Sequence, residues 1–184
     1  MAGTPPLSRT RRISALLILA TAAAIILLDQ ATKLWIQSYF SDGCDTGSQI
    51  QIIGRDWLSF TYTCNRGAAF GLFADKTLLF VLIALVVVGV IIAYLRFLPA
   101  NRPWLRLSLG LQLGGAIGNL LDRLRQGFVV DFVSIKSAPV FNLADSCIVI
   151  GVAILAYYLL LAQSPPRREA PAPPPTIRQG QDPG

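Results

Sequence analysis

Apolar positions along this chain gather into long charge-free runs, and four of these approach the ~20 residues that a helix needs to cross a hydrocarbon core about 30 Å thick. The first extends from Ile13 to Leu28 and continues through Trp35 and Ile36 if Asp29 and Lys33 sit at the interface. The second, Thr77 to Leu95, is bounded by Lys76 and Arg96. The third, Leu107 to Leu121, is short and glycine-rich and ends at Asp122 and Arg123, and the fourth, Val140 to Ala162, carries Asp145 near its start. The pattern predicts an all-α membrane protein with four transmembrane helices, at about 13–36, 77–95, 107–121 and 140–162. In the intervening region 37–76, the β-branched and aromatic pieces Gln49 to Ile53 and Trp57 to Thr63 predict a small extracytoplasmic β element between helices 1 and 2.

Residues 13–163 then form one membrane domain behind a basic stretch, 1–12, with no internal repeat. The tail, 164–184, is rich in Pro, Gly and Gln, cannot bury a core and is expected to be disordered. A cleaved signal peptide is the alternative for the first run, since Arg11 and Arg12 precede it and Ala22 to Ala24 are small. Against it, the residues after those alanines stay apolar, where a mature start is polar.

Composition agrees with the pattern. Of 184 residues 53% are hydrophobic and 14% charged, against roughly 25% charged in a soluble domain. There is no histidine, which excludes a Ser-His-Asp or Cys-His mechanism and an HExxH zinc site, because each needs an imidazole. Cys44, Cys64 and Cys147 have no CxxC spacing, which argues against a thiolate metal site. No metal or cofactor is therefore expected. The net charge of +6 is spread between apolar runs instead of gathered on one polar face, so nucleic acid is not an expected partner.

Charge also orients the chain. With the N-terminus inside, nine cations lie inside, on Arg9, Arg11, Arg12, Arg96, Arg102, Arg106, Arg167, Arg168 and Arg178, and seven lie outside on much longer segments. The positive-inside rule then puts both termini in the cytoplasm. Eight of the ten acids fall at or beyond the outer interface, leaving Glu169 and Asp182 inside. Any chemistry faces outward.

The outer acids include Asp131 in VVDFV and Asp145 in FNLADS, each beside an apolar run at the same face. Two carboxylates held close share a proton, and such a pair can activate water while protonating a leaving amine. This is peptide hydrolysis without histidine. A plainer reading, compatible with the first, has Asn142 cap the fourth helix and Asp145 complete a capping box. Asn119, Asp122 and Arg123 can share one helical face, either as an ion pair with snorkelling or as a patch that binds substrate. Gly110, Gly114 and Gly118 recur every four residues as a small-xxx-small packing face, which would bring this polar end near Asp131 and Asp145.

Asn65 to Gly71 form a small-residue loop in which Gly67 permits close backbone approach and Asn65 suits gripping a peptide main chain. Asp29, with Gln30 and Lys33, reads as an interfacial charge pair or as a brace for the site. Cys44 and Cys64 both fall outside, where a disulfide is permitted, and Cys147 reads as a small apolar filler.

The segments DQATK (Asp29 to Lys33), NRGAAFG (Asn65 to Gly71), GGAIGNLLDR (Gly114 to Arg123), VVDF (Val129 to Phe132) and FNLAD (Phe141 to Asp145) together resemble bacterial lipoprotein signal peptidase, or signal peptidase II, over residues 13 to 162. The resemblance implies a four-span inner-membrane aspartic endopeptidase of a bacterium. It would cleave prolipoproteins before a cysteine that already carries diacylglycerol, and a monomer suffices for the chemistry. It implies Asp131 and Asp145 as the catalytic pair, Asn65, Asn119, Asp122, Arg123 and Asn142 around substrate, and Asp29 as structural support. Membrane lipid and a globomycin-type cyclic peptide inhibitor are further implied partners. The Cys44 and Cys64 pair and the Pro-rich tail lie outside the family pattern.

Three rivals remain at this level. A Ser/Lys peptidase would pair Ser134 with Lys136 or Lys33. A small proton-coupled transporter would use Asp131 or Asp145 as carrier, although the acids gather at one face instead of mid-membrane, where coupling sites sit. A purely structural membrane subunit would show no turnover.

Overall fold

The computed structural model describes residues 9–54, 57–67, 76–95 and 102–161. Its elements run α1 (Arg9–Tyr39), β1 (Gln49–Ile53), β2 (Leu58–Asn65), α2 (Thr77–Leu95), α3 (Pro103–Gln126), β3 (Val129–Ile135) and α4 (Leu143–Leu161). The Pro-rich tail and the first eight residues lie outside the described residues, as do Ala68 to Gly71 of the small-residue loop.

Three helices, α1, α2 and α4, are long and apolar enough to cross a membrane. α3 is not among them, because it carries Arg106, Gln112, Asn119, Asp122, Arg123 and Arg125. Packing explains the difference. α3 contacts all three other helices and buries a continuous face from Leu105 to Asp122, so protein surrounds much of it. α1, α2 and α4 leave Leu27, Leu82, Val86, Val90, Val149 and Leu160 exposed, an apolar surface that lipid covers at no desolvation cost.

The glycine stripe lets α3 sit deep between its neighbours. A Cβ at Gly114 would stand 2.9 Å from the Ala22 carbonyl oxygen of α1, and one at Gly118 would stand 2.6 Å from Asp29 Oδ2. On the α4 side, a Cβ at Gly115 would collide with the Ala144 carbonyl oxygen. Ser108 Oγ donates to the Gly151 carbonyl oxygen at 2.9 Å, completing that contact. α3 ends where Gly127 takes φ 82° and donates its N–H to the Arg123 carbonyl oxygen, a left-handed cap that favours glycine.

The sheet differs from expectation. β1 and β2 form in the anticipated region, but the sheet has three strands in the order β1-β2-β3. The third, VVDFVSI, comes from between α3 and α4. Its first four residues are all buried, and such a strand reads as an unbroken apolar run like a helix flank. β2 and β3 are antiparallel, pairing Thr63 with Asp131, Cys64 with Val130 and Asn65 with Val129. α1 meets the sheet through Ile36 and Phe40, which pack with Val130 and Phe132. α4 begins at Leu143, three residues later than the apolar pattern suggested, because Phe141 is engaged in backbone pairing with Val133. Cys44 and Cys64 are joined in a disulfide.

Candidate active site

Asp131 projects from the middle of β3 and Asp145 from the first turn of α4. One residue touches both. Asn142 Nδ2 donates to Asp131 Oδ1 at 2.7 Å, while the Asn142 backbone N–H donates to Asp145 Oδ2 at 3.3 Å. In return Asn142 Oδ1 accepts the Asp145 N–H at 2.9 Å. The N-cap and the third helical residue thus satisfy each other. The cap that holds the helix end also holds the second carboxylate beside the first.

Each aspartate has a further asparagine. Asn65 Nδ2 donates to Asp131 Oδ2 at 2.8 Å, and Asn119 Nδ2 donates to Asp145 Oδ1 at 2.7 Å. The Asn119 amide is oriented from behind, since its Oδ1 accepts from Lys33 Nζ at 2.9 Å and from Asn142 Nδ2 at 3.1 Å. An ammonium has no acceptor to offer, so the Asn119 oxygen faces Lys33 and its NH2 faces Asp145.

Asp131 is 2% exposed. Burial, and then the negative charge of Asp145, push its carboxyl up to about 7, against the opposing hydrogen bonds from Asn65 and Asn142. A carboxyl so placed keeps a proton at pH values where exposed carboxylates have lost theirs.

Behind the aspartates lies a dry cluster. Lys33, Asp29 and Asp122 are each 0% exposed, and Lys33 Nζ lies 2.8 Å from Asp29 Oδ2 and 3.0 Å from Asp122 Oδ2. Asp29 Oδ1 also accepts the Ala144 N–H at 3.0 Å, capping α4 from α1. Asp122 accepts from the Val130 N–H and from Gln30 Nε2. α1, α3, β3 and α4 therefore meet on three side chains. The sequence put Asp29 and Lys33 at the interface, as a charge pair or a brace for the site, and did not show that both would be fully buried with Asp122. The signal was an Asp and a Lys four apart within an apolar run, opposite a glycine stripe.

The aspartates open into a cavity of about 610 Å³. Asn65, Gly67, Arg123, Asp131 and Asp145 line its polar side, and Phe80, Pro139, Val140, Phe141, Val149 and Ile150 are among its apolar walls. Arg123 stacks 5.0 Å from the centre of the Phe80 ring and donates to the Gly67 carbonyl oxygen at 3.4 Å. Gly67 donates its N–H to Asn65 Oδ1. Asn119, Asp122 and Asn142, expected around substrate, stand one layer behind, at 7%, 0% and 0% exposure.

Among the described residues, metal-ligating types converge at Cys44, Asp45 and Cys64, but the two sulfurs are bonded to each other.

The family model for signal peptidase (SPase) II matches residues 21–161. The chain belongs to the signal peptidase II family. A lipoprotein signal peptidase of Moorella thermoacetica is 47% identical over 151 residues, covering 82% of this chain and 97% of that protein. That of Pseudomonas putida is 43% identical over 141 residues, covering 72% and 80% respectively. Among solved structures, a bacterial membrane enzyme determined by the in meso method at 2.3 Å resolution superposes with a TM-score of 0.73 at 27% identity, over 83% of this chain and 93% of that one. As a signal peptidase II, the protein is a membrane peptidase of lipoprotein processing, and its three long apolar helices fit that setting.

Proposed function

We propose that this signal peptidase II is an aspartic endopeptidase whose catalytic pair is Asp131 and Asp145. The supporting observation is two carboxylates from different elements, bridged by one asparagine, on the polar side of a cavity with apolar walls. The pair shares one proton, seated on the deeper Asp131. Water held between the carboxylates attacks the scissile carbonyl carbon and gives a proton to Asp145, while the Asp131 proton passes to the carbonyl oxygen. The resulting diol collapses as the C–N bond breaks. Asp145 then protonates the leaving amine, and a diol proton returns to Asp131. Lys33 takes no part as a base, since all three of its donors are committed to Asp29, Asp122 and Asn119.

The substrate is a diacylglyceryl-modified prolipoprotein, cut before the lipidated cysteine. Acyl chains lying in the bilayer fix the depth of the scissile bond, which converts a membrane encounter into a positioned one. Asn65 and Arg123 face the cavity and reach substrate directly, and Asn119, Asp122 and Asn142 act through the carboxylates and the buried cluster that they hold. A globomycin-type inhibitor competes for the same cavity. α3 is the fourth span, shielded by its neighbours, in a monomer of the bacterial inner membrane with both termini in the cytoplasm and the site at the outer face. Residues 13–163 are the membrane domain.

A gel-shift assay on a purified diacylglyceryl prolipoprotein, comparing the wild type with Asp131→Asn and Asp145→Asn, tests this reading. Cleavage by the wild type and none by either folded variant is expected. Near wild-type turnover by a folded variant removes the shared-proton mechanism.

A further inference from the structure

Cys64 is the residue immediately before Asn65, and three links tie the end of β2 to the turn at Cys44 and Asp45. The disulfide joins Cys44 to Cys64 with their Cα atoms 5.7 Å apart. The Asp45 N–H donates to the Tyr62 carbonyl oxygen at 2.9 Å, and the Cys64 N–H donates to Asp45 Oδ1 at 3.3 Å. Asp45 adopts φ 61°, a left-handed conformation that Asp takes more readily than most non-glycine residues. On β3 the same segment faces Asp131, through the Thr63–Asp131 and Cys64–Val130 pairs. The β2–β3 register is interrupted between Phe60 and Thr63. A bulge thus separates the end of the strand, itself paired with β3 from Thr63 to Asn65, from the pairing upstream, and the cross-link falls on that end.

We propose that the Cys44–Cys64 disulfide is a positioning element for Asn65, holding the end of β2 so that the Asn65 amide stays on Asp131, and that full turnover requires the bond in its oxidised form. The inference rests on Asp131 being one of the catalytic pair. Reduction by a dithiol such as dithiothreitol moves two electrons and two protons onto the two sulfurs, and the reductant closes to its own cyclic disulfide. The strand end keeps its pairing with β3 but loses its covalent tie to the Cys44 turn, and the Asn65 hydrogen bond loosens. That bond favours the ionised Asp131, so its loss both slows the reaction and moves the alkaline limb of the pH–rate profile upward.

The test measures kcat/KM against pH for the full chain in lipid nanodiscs, with a diacylglyceryl prolipoprotein, before and after dithiothreitol. Maleimide mass labelling counts the thiols released. Reduction is expected to lower kcat/KM about tenfold, the upper end for one lost neutral hydrogen bond, and to raise the alkaline limb by roughly half a pH unit. Cys44→Ser/Cys64→Ser starts at the reduced value and ignores the reductant. Asn65→Ala is slow in both states and equally insensitive, because a step that acts through Asn65 has nothing left to act on.

Unchanged rate and pH limb in wild type with both thiols free overturns the proposal. So does a further loss on reducing Asn65→Ala, or a reduced protein that loses its fold by size-exclusion chromatography. Asp131→Asn runs in the same series. If it stays active while folded, the dyad reading fails, a result distinct from any of these.

Discussion

The inner polar layer, Asp29, Lys33 and Asp122, sets one ammonium between two carboxylates and gives each of the three side chains a partner from another element. The outer layer, Asp131 and Asp145, sets two carboxylates side by side with neutral amides as their hydrogen-bond donors. Both layers draw on the same short list of residue types. The inner one neutralises buried charge and so welds helices together, whereas in the outer one burial, and then the like charge of Asp145, raise the proton affinity of Asp131. Asn119 and Asn142 join the two layers, and Asn119 transmits the ammonium's orientation to Asp145. Stability and reactivity are therefore separable by mutation, and each layer should fail in its own way.

The largest expected effect is on turnover. Asp131→Asn or Asp145→Asn removes the group that holds or takes a proton, and such a loss costs on the order of 10³-fold or more in kcat. Thermal unfolding should not fall below the wild-type value, because an amide can keep one acceptor oxygen toward Asn65, Asn142 or Asn119. A variant that loses its fold along with its activity would show that the outer layer is also structural.

Lys33→Met should do the reverse. It leaves Asp29 and Asp122 buried without their cation, a change that costs about 3–5 kcal/mol and is read as a lowered unfolding midpoint. Adding Asp29→Asn and Asp122→Asn to it should recover part of the loss, since the uncompensated charges go with the carboxylates. No recovery would mean that Lys33 stabilises by packing alone.

Next in size is Asn142→Ala, the change at the junction. Loss of the N-cap costs about 1 kcal/mol of stability, and loss of the hydrogen bond to Asp131 costs about tenfold in kcat. An effect on only one of the two readouts would separate the cap from the site.

The outer layer was more legible in sequence than the inner one, for a physical reason. Asp131, Asp145 and Asn142 stand beside apolar runs in short segments, where a carboxylate or a cap announces itself locally. Lys33 announces locally only its pair with Asp29, because its other partners, Asp122 and Asn119, are more than 80 residues away, and only the glycine stripe on α3 says that two helices approach closely enough to bury it. The same limit hid β3. Its valines are covered by α1 and β2, so it lacks the in–out alternation by which a half-exposed strand is recognised. The apolar-run criterion served for α1, α2 and α4, which expose an apolar surface, and weakened at α3, which protein covers.

The pH dependence of stability separates the layers most cleanly. The Asp131 carboxyl stands at about 7 in the folded protein and near 3.9 in an unfolded chain. Between those values the fold holds a proton that the unfolded chain releases, so the contribution of Asp131 to stability is present below about pH 4 and is lost as pH rises toward 7. The slope is up to roughly 1.4 kcal/mol per pH unit from this one group. Asp131→Asn cannot titrate and should flatten that decline while leaving any slope due to other groups in place. On the proposed dyad mechanism, the same carboxyl should give the wild-type kcat/KM an alkaline limb near pH 7, where the shared proton is lost. Denaturation midpoints for both proteins across pH 4 to 8 check the first expectation, and the rate profile checks the second. Parallel stability curves would mean that the proton resides on some group other than Asp131.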